Sequence, residues 1–215
     1  MTAQLYFNYA TLTTSGNSWR PWEKALREDG IAKLAELGGE LYGVWSPLFG
    51  LASNQLILMT SWDSPDGVIQ KVTETFTALD GIVSVENHMV IPTVRPTTNT
   101  PPSKPGLYVH WYFRLEPSHV DEAVELSNTA WETFEHTFEA EVIGFFHTIE
   151  PTTELAELML LNWYPNLAAW EASRNLALAP EARQRFRRRL ELSKEMKAIA
   201  TALEGASSYL ATRIA

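Results

Sequence analysis

The sequence predicts an α+β protein: two divergent βαββαβ units, fused in one chain, whose sheets face each other as an intramolecular α+β barrel. Two observations carry that prediction. A proline-rich stretch, Pro92 to Pro105, divides the chain near its middle. The halves on either side repeat each other. Glu40-Leu41-Tyr42-Gly43-Val44-Trp45 aligns with Glu141-Val142-Ile143-Gly144-Phe145-Phe146, glycine on glycine. At the same spacing Leu56–Trp62 aligns with Glu157–Trp163, tryptophan on tryptophan, while Leu5-Tyr6-Phe7 matches Leu107-Tyr108-Val109 at a spacing one residue longer. A fixed internal period marks a repeated structural unit. The expected division is a first unit at 1–93, a linker at 94–105 and a second unit at 106–215.

Each element follows from pattern. Leu107–Leu115 alternates strictly, with Leu107, Val109, Trp111, Phe113 and Leu115 on one face and Tyr108, His110, Tyr112 and Arg114 on the other. That is a strand with one face in a core. Ser118 is the expected N-cap of a helix carrying Val120, Val124, Trp131, Phe134 and Phe138 at helical spacing. A hairpin follows, Val142–Ile149 and Leu155–Trp163, turning at Glu150–Thr153. Pro180 opens an amphipathic helix expected to reach about Leu203, and Ser207–Ile214 is expected as the closing strand. The first half repeats the order, with a shorter second helix between Ser64 and Leu79 and a closing strand at Ile82–Pro92. This is the ferredoxin-like arrangement, an antiparallel sheet with both helices on one face. The bare face of such a sheet needs cover, and a second sheet from the same chain supplies it.

Composition excludes several classes. The net charge of -9 argues against nucleic acid, which needs a basic surface. The absence of cysteine removes disulfides, thiolate metal sites and cysteine nucleophiles, and suits a reducing compartment. No apolar run approaches membrane-spanning length and the N-terminus lacks a secretory pattern, so a cytoplasmic location is expected, with no membrane partner. No phosphate-binding loop or nucleophile elbow is present.

The hairpin Gly144-Phe145-Phe146 … Leu158–Tyr164, followed by Asn166-Leu167-Ala168-Ala169-Trp170-Glu171-Ala172-Ser173-Arg174 and the helix after Pro180, resembles the NIPSNAP family of the dimeric α+β barrel superfamily. The resemblance covers nearly all of the second half and, more weakly, Leu5 to about Pro92. Its motif is a packing motif, so it implies a fold and no reaction. The superfamily it implies includes cofactor-free monooxygenases, haem-handling enzymes, cyclases, decarboxylases and proteins without activity.

Alternation sorts the remaining polar residues onto the barrel interior. Tyr108, His110, Tyr112 and Arg114 are expected there, with Glu86 and His88 from Ile82–Pro92, Tyr6 and Asn8 from the first strand, Tyr209 and Arg213 from the last, and His147 from the hairpin. His110 and His88 are candidate general bases, because imidazole titrates near neutrality, and Arg114 is a candidate anion clamp. The other eight form a candidate substrate wall. A solvated or mutually satisfied polar cluster is the competing reading of the same residues. A metal held by His88, Glu86, His110 and His147 lacks any ligand spacing, and haem lacks its motif, so both rank below a metal-free, cofactor-free pocket. The arginine-rich run Arg183–Arg189 reads as a solvated helix face with interleaved acids. The expected function is acid–base chemistry on an aromatic or polyketide-like small molecule, by a cofactor-free oxygenase, cyclase or isomerase. The alternatives are a non-catalytic NIPSNAP-type binding or interaction protein, or a haem-binding barrel. The expected assembly is a monomer or homodimer, since one chain can close the barrel alone.

Overall fold

A computed structural model of the chain describes residues 4–150, 153–175, 177 and 179–204. Eight strands are present among them: β1 (Tyr6–Thr14), β2 (Glu40–Phe49), β3 (Gln55–Trp62), β4 (Ile82–Pro92), β5 (Leu107–Leu115), β6 (Glu141–Thr148), β7 (Ala156–Tyr164) and β8 (Ser193–Leu203). They close into one antiparallel barrel in the order β1-β3-β2-β8-β5-β7-β6-β4. Within each half the order is that of a ferredoxin-like sheet. The two sheets are zipped at their edges by β2 against β8 and β4 against β6, where Val90 faces Thr148 and Pro92 faces Phe146. One chain therefore completes the barrel and, among the described residues, leaves no sheet edge unpaired, which is how closed sheets avoid edge-to-edge association.

Helices cover the outside. In the first half α1 (Glu23–Ala25), a π turn at Leu26–Ile31 and α2 (Ala32–Glu36) form one irregular helical stretch, and α3 (Val68–Thr77) lies beside it. Val68, Val72 and Phe76 recur every fourth residue on the buried side of α3. In the second half α4 (Val120–Thr137) buries Ala123, Ser127, Ala130, Trp131 and Phe134. Then come α5 (Leu167–Ala172) and α6 (Pro180–Leu192). Ser118 does not cap α4: it lies in a 3-10 turn, Pro117–His119, that runs straight into the helix. Asp121 and Glu122 instead place negative charge at the helix N-terminus. Asn166 does cap α5, accepting from the Ala169 N–H. No helix among the described residues is long and apolar enough to cross a membrane.

One element departs from its expected form. The helix opened by Pro180 ends at Leu192, and 193–203 is strand β8 rather than more helix. Its sequence, Ser193-Lys-Glu-Met-Lys-Ala-Ile-Ala-Thr-Ala-Leu203, is rich in good helix formers, so local propensity points the wrong way. Tertiary pairing overrides it. β8 fills the gap between β5 and β2, bonding to β5 from Ser193 opposite Leu115 to Ala202 opposite Leu107. The Ser193 hydroxyl, donating to the Arg189 carbonyl at 3.0 Å, ties off the helix where the strand begins. The strand expected at Ser207–Ile214, with Tyr209 and Arg213, lies outside the described residues.

The register of the two halves also differs from the sequence alignment. Gly43 stands opposite Met59 and Gly144 opposite Leu161, while Met59 and Leu161 stand opposite Tyr9 and His110. Tyr9, not Asn8, is therefore the counterpart of His110. By the same ladder Trp62 opposes Tyr6 at a place the second half gives to Tyr164 opposite Leu107, rather than to Trp163. Since side-chain direction has a period of two, a slip of one residue moves a whole strand's side chains to the other face. Tyr6 and Asn8 accordingly face the helices: Tyr6 packs with the first-half helical core, and Asn8 donates to Asn87, whose own amide reaches Thr73 on α3.

The barrel interior holds Phe7, Tyr9, Tyr42, Trp45, Met59, Tyr108, Phe146 and Leu161, all buried. Each such side chain contributes on the order of 1.5–3 kcal/mol on burial. The segment 94–105 lies across one mouth, where the Lys104 carbonyl accepts from the Tyr108 hydroxyl at 2.8 Å and the Pro105 carbonyl accepts from Trp163 Nε1 at 3.1 Å. Among the described residues the opposite mouth stays open.

Candidate functional site

The open mouth is a cleft of about 530 Å³, lined by Tyr9 and Thr11 of β1, Glu86 and His88 of β4, Tyr112 and Arg114 of β5, Glu157 of β7 and Glu195 and Lys197 of β8. These are the inward-facing positions near one end of the strands: Tyr9 stands opposite His88, Thr11 opposite Glu86, Tyr112 opposite Lys197, and Arg114 between Glu157 and Glu195. Gly50 and Leu51, from the β2–β3 turn, complete the rim.

Beneath the cleft runs a hydrogen-bonded chain. The Tyr112 hydroxyl donates to the Tyr9 oxygen at 2.5 Å, and Tyr9 lies 3.1 Å from His110 Nδ1. His110 Nε2 lies 3.0 Å from Thr201 Oγ1, and Thr201 donates to the Tyr108 carbonyl at 3.3 Å. Because the Thr201 proton is committed to a carbonyl, its oxygen must accept from Nε2–H. Nδ1 is then the acceptor for Tyr9. The network thus assigns the imidazole tautomer and gives every proton one direction. Burial lowers the His110 pKa to about 3, so the ring is neutral, and burial also raises both phenols well above their ordinary value. Trp45 sits edge-on to His110 at 5.4 Å and closes the barrel centre behind it. His110 is sealed from the cleft and cannot touch a molecule bound there.

His88 differs. Its half-buried imidazole lines the cleft 5.5 Å from the Tyr9 ring, and no side-chain hydrogen bond holds it among the described residues. Burial lowers its pKa, against an opposing pull from Glu157, so it too is neutral at neutral pH. The Arg114 guanidinium reaches Glu157 at 3.0 Å and Glu195 at 3.2 Å. Those carboxylates occupy the fork that a bound anion would need. Lys197 has no ion-pair partner among the described residues and stands 5.9 Å from the Tyr112 ring.

The residues singled out in the sequence therefore fall into groups. Glu86, His88, Tyr112 and Arg114 meet in the cleft; His110 lies beneath it, and Tyr108 lies further along the interior toward the linker. Tyr6 and Asn8 face the helices, as described above. His147 is also on the outer face, because Val90 opposite Thr148 directs Thr148 inward; there Asp121 partly offsets the burial that lowers its pKa. Glu86, His88, His110 and His147 are thus not brought together, and no group of three metal-ligating side chains exists among the described residues. Sequence reasoning missed Tyr9, Lys197, Glu195 and Thr201 as parts of the site, and the hairpin's apolar pattern on both faces assigned Glu157 only weakly. The spacing given by the paired glycines, applied to the first strand, would have placed Tyr9 on His110. Nothing local marked Lys197 as a strand residue.

The architecture, a duplicated ferredoxin-like unit closed into one barrel, defines the class by fold: an α+β barrel with both halves on one chain. Residues 108–204 match the NIPSNAP family model. Among solved structures, an anthrone oxidase-like protein superposes with a TM-score of 0.68 at 15% identity, covering 94% of this chain and 93% of its own. A mutant chlorite dismutase from Candidatus Nitrospira defluvii gives a TM-score of 0.60 at 9% identity, covering 96% of this chain and 94% of its own. A haem-binding protein from Thermus thermophilus gives 0.52 at 12%, covering 97% and 94%. At these identities the likeness is one of fold. No curated protein sequence matches the chain.

Proposed function

We propose that the chain is an acid–base enzyme acting on a neutral aromatic molecule with an acidic C–H or phenolic O–H, bound in the open cleft. One observation carries this reading: His88, a neutral imidazole without a partner of its own among the described residues, stands in the wall of a 530 Å³ cleft beside two linked phenols. A general base must be deprotonated at working pH and within reach of the substrate, and His88 meets both conditions. His88 takes the proton. The Lys197 ammonium faces the enolate or phenolate that forms, and the Tyr112–Tyr9–His110–Thr201 chain holds the two phenol rings at fixed positions. Three glutamates at the rim against Arg114 and Lys197 disfavour an anionic substrate, so Arg114 shapes the rim rather than clamping a carboxylate.

Returning the proton to a different atom of the substrate completes an isomerisation, and attack of the carbanion on a carbonyl of the same molecule completes a cyclisation. The anthrone oxidase-like relative suggests a third outcome. An anthrone is a neutral tricyclic ketone with an acidic methylene. With dioxygen as co-substrate, that carbon gains one oxygen atom as a carbonyl and the other leaves as water.

Haem is the other precedent within the fold. His88 is a competent axial donor, yet the cleft does not fit the group. Glu86, Glu157 and Glu195 line its outer part, and Tyr9, Tyr112 and Ile199 close it below. No flat apolar slot for a macrocycle remains. A non-catalytic binding or interaction protein of NIPSNAP type is favoured by a separate observation, the filling of the barrel centre by Trp45, Phe146, Phe7 and Tyr108. The two readings separate on one experiment: anthrone, naphthols and cyclic 1,3-diketones are incubated anaerobically in deuterated buffer and isotope exchange is followed by NMR. The enzyme reading expects exchange accelerated over buffer and reduced about 100-fold or more in His88→Ala. Absence of both binding and exchange across the set overturns it in favour of the non-catalytic reading.

A further inference from the structure

The second half of the chain holds another pocket, of about 120 Å³, on the opposite face of its sheet, beneath α4 and α6. Its walls are aromatic: Trp111 and Phe113 from β5, Trp131 and Phe134 from α4, and Phe186 from α6. Its polar lining among the described residues is Arg189, Arg174 and Asn162, with no carboxylate. That imbalance is unusual. Arg189 is buried, 7% exposed, with Nη1 donating to Ser127 Oγ at 2.9 Å and its guanidinium 4.3 Å from the Phe113 ring. Its Nε is buried without a partner, and Nη2 makes no hydrogen bond among the described residues. The free Nε–Nη2 edge is the one that grips a carboxylate with two parallel hydrogen bonds.

Two further observations point at the same spot. Asn162 is 5% exposed and its Oδ1 is buried without a partner among the described residues, while its Nδ2 reaches the Tyr164 hydroxyl at 3.4 Å. Turned over, the amide would accept from Tyr164 and offer an N–H to an anion. Arg174, at the rim, lies over Trp111 at 5.5 Å and bonds only to Ser173 and Tyr164 among the described residues. Burial, and then Arg174, lower the Arg189 pKa to about 10. A buried guanidinium beside a second one, with no counter-anion among the described residues, is strongly disfavoured unless something else supplies the charge. The rest of the arginine-rich run behaves as a solvated face does: Arg185 pairs with Glu181, Arg188 pairs with Glu122 and Glu191, and Arg183 and Arg187 are exposed. Arg189 alone turns inward.

We propose that this pocket is a binding site for a small aromatic carboxylate, its ring among the tryptophan and phenylalanine walls and its carboxylate on the free edge of Arg189, with Asn162 and Arg174 beside it. Size bounds the ligand: a cavity of about 150 Å³ holds one benzene ring, so this pocket of about 120 Å³ takes no more than a single ring and excludes a fused polycycle. The aromatic walls disfavour a bare inorganic ion, which would lose its hydration for few contacts. This site is separate from the cleft, behind the sheet that carries Arg114 and Tyr112 on its other face.

Benzoate is the probe, read by calorimetry, melting temperature and the ¹⁵N signal of Arg189 Nε, with benzamide, acetate and inorganic phosphate as comparators. Benzoate is expected to saturate, raise the melting temperature and shift the Arg189 signal, with all three comparators at least tenfold weaker. Arg189→Met should lose benzoate binding at least tenfold while melting no lower than the unliganded protein, because it removes an uncompensated charge. If that variant does not fold, the Nε signal of the unaltered protein decides. No saturable binding, no shift at Arg189, equal binding of benzamide, or binding retained in Arg189→Met would each overturn the proposal.

Discussion

Tyr9 and His110, 101 residues apart on strands that hold equivalent places in the two halves, meet at the barrel centre through a 3.1 Å hydrogen bond. Duplication has placed a phenol and an imidazole at the same structural address, and the pair joins the two sheets across the interior. The bond uses the neutral ring, which fixes how stability responds to acid. The folded pKa of His110, about 3, lies below its unfolded value near 6.5. Above that unfolded value the contribution is complete. As pH falls, the unfolded chain takes up a proton the folded one refuses, at roughly 1.4 kcal/mol per pH unit, reaching about 4 kcal/mol by pH 3.5. Urea unfolding between pH 7 and pH 4 should show this slope. His110→Leu should be less stable at pH 7, yet lose about one proton's worth of acid dependence. An unchanged slope in the variant would exclude His110 as its source.

The order of the chain predicts an order of costs. Tyr9→Phe leaves both the Tyr112 hydroxyl and the buried Nδ1 of His110 without partners, and should cost about 1–3 kcal/mol. Tyr112→Phe removes only the half-buried end of the chain, and should cost at most about 1 kcal/mol. Denaturant midpoints of the two variants check the ranking. Equal costs would mean that Tyr9 and His110 do not depend on each other.

Most of the fold was legible because two signals were redundant. The alternation in Leu107–Leu115 named both faces of β5 without help, since all five apolar residues sit on one side. β1 reads Tyr-Phe-Asn-Tyr-Ala-Thr-Leu, with aromatic and small residues on both faces, and there a match of one residue too many sent Tyr6 and Asn8 inward. β8 was hidden for a different reason. Its alanines and lysines prefer a helix, and only the gap between β5 and β2, a long-range property, makes them a strand. Arg189 was hidden by its neighbours. Five arginines in seven residues describe a solvated face on average, and average composition cannot identify the member that turns inward.

The paired glycines have one steric cause. A Cβ at Gly144 would run into the Phe146 ring, and one at Gly43 would run into the Trp45 ring, each well inside van der Waals contact. In each half the glycine clears space for an aromatic ring two residues on, which folds back inside the barrel. Gly144→Val should cost on the order of 1–3 kcal/mol by overpacking. Trimming the ring in the same chain, as Phe146→Leu, should recover part of that loss even though it costs stability alone. Melting temperatures of the two single variants and the double variant test the coupling, and strict additivity would contradict it.

The last prediction concerns the base. Two influences set the His88 pKa: burial lowers it, and the Glu157 charge raises it by a smaller amount. Glu157 is itself held at the rim by Arg114 at 3.0 Å. Replacing it, as Glu157→Gln, removes the opposing influence and should lower the His88 pKa further. The charge on Arg114, freed from that partner, acts in the same direction because like charge disfavours the imidazolium. Proton titration of the His88 ring by NMR reads this directly, with no substrate needed, and the midpoint should move to lower pH in the variant. If the cleft catalyses proton abstraction, the acidic limb of its pH–rate profile should follow the same midpoint in both proteins, because a base works only when deprotonated. A rate profile that stays fixed while the NMR midpoint moves would remove His88 from the role of base and leave it as part of the cleft wall.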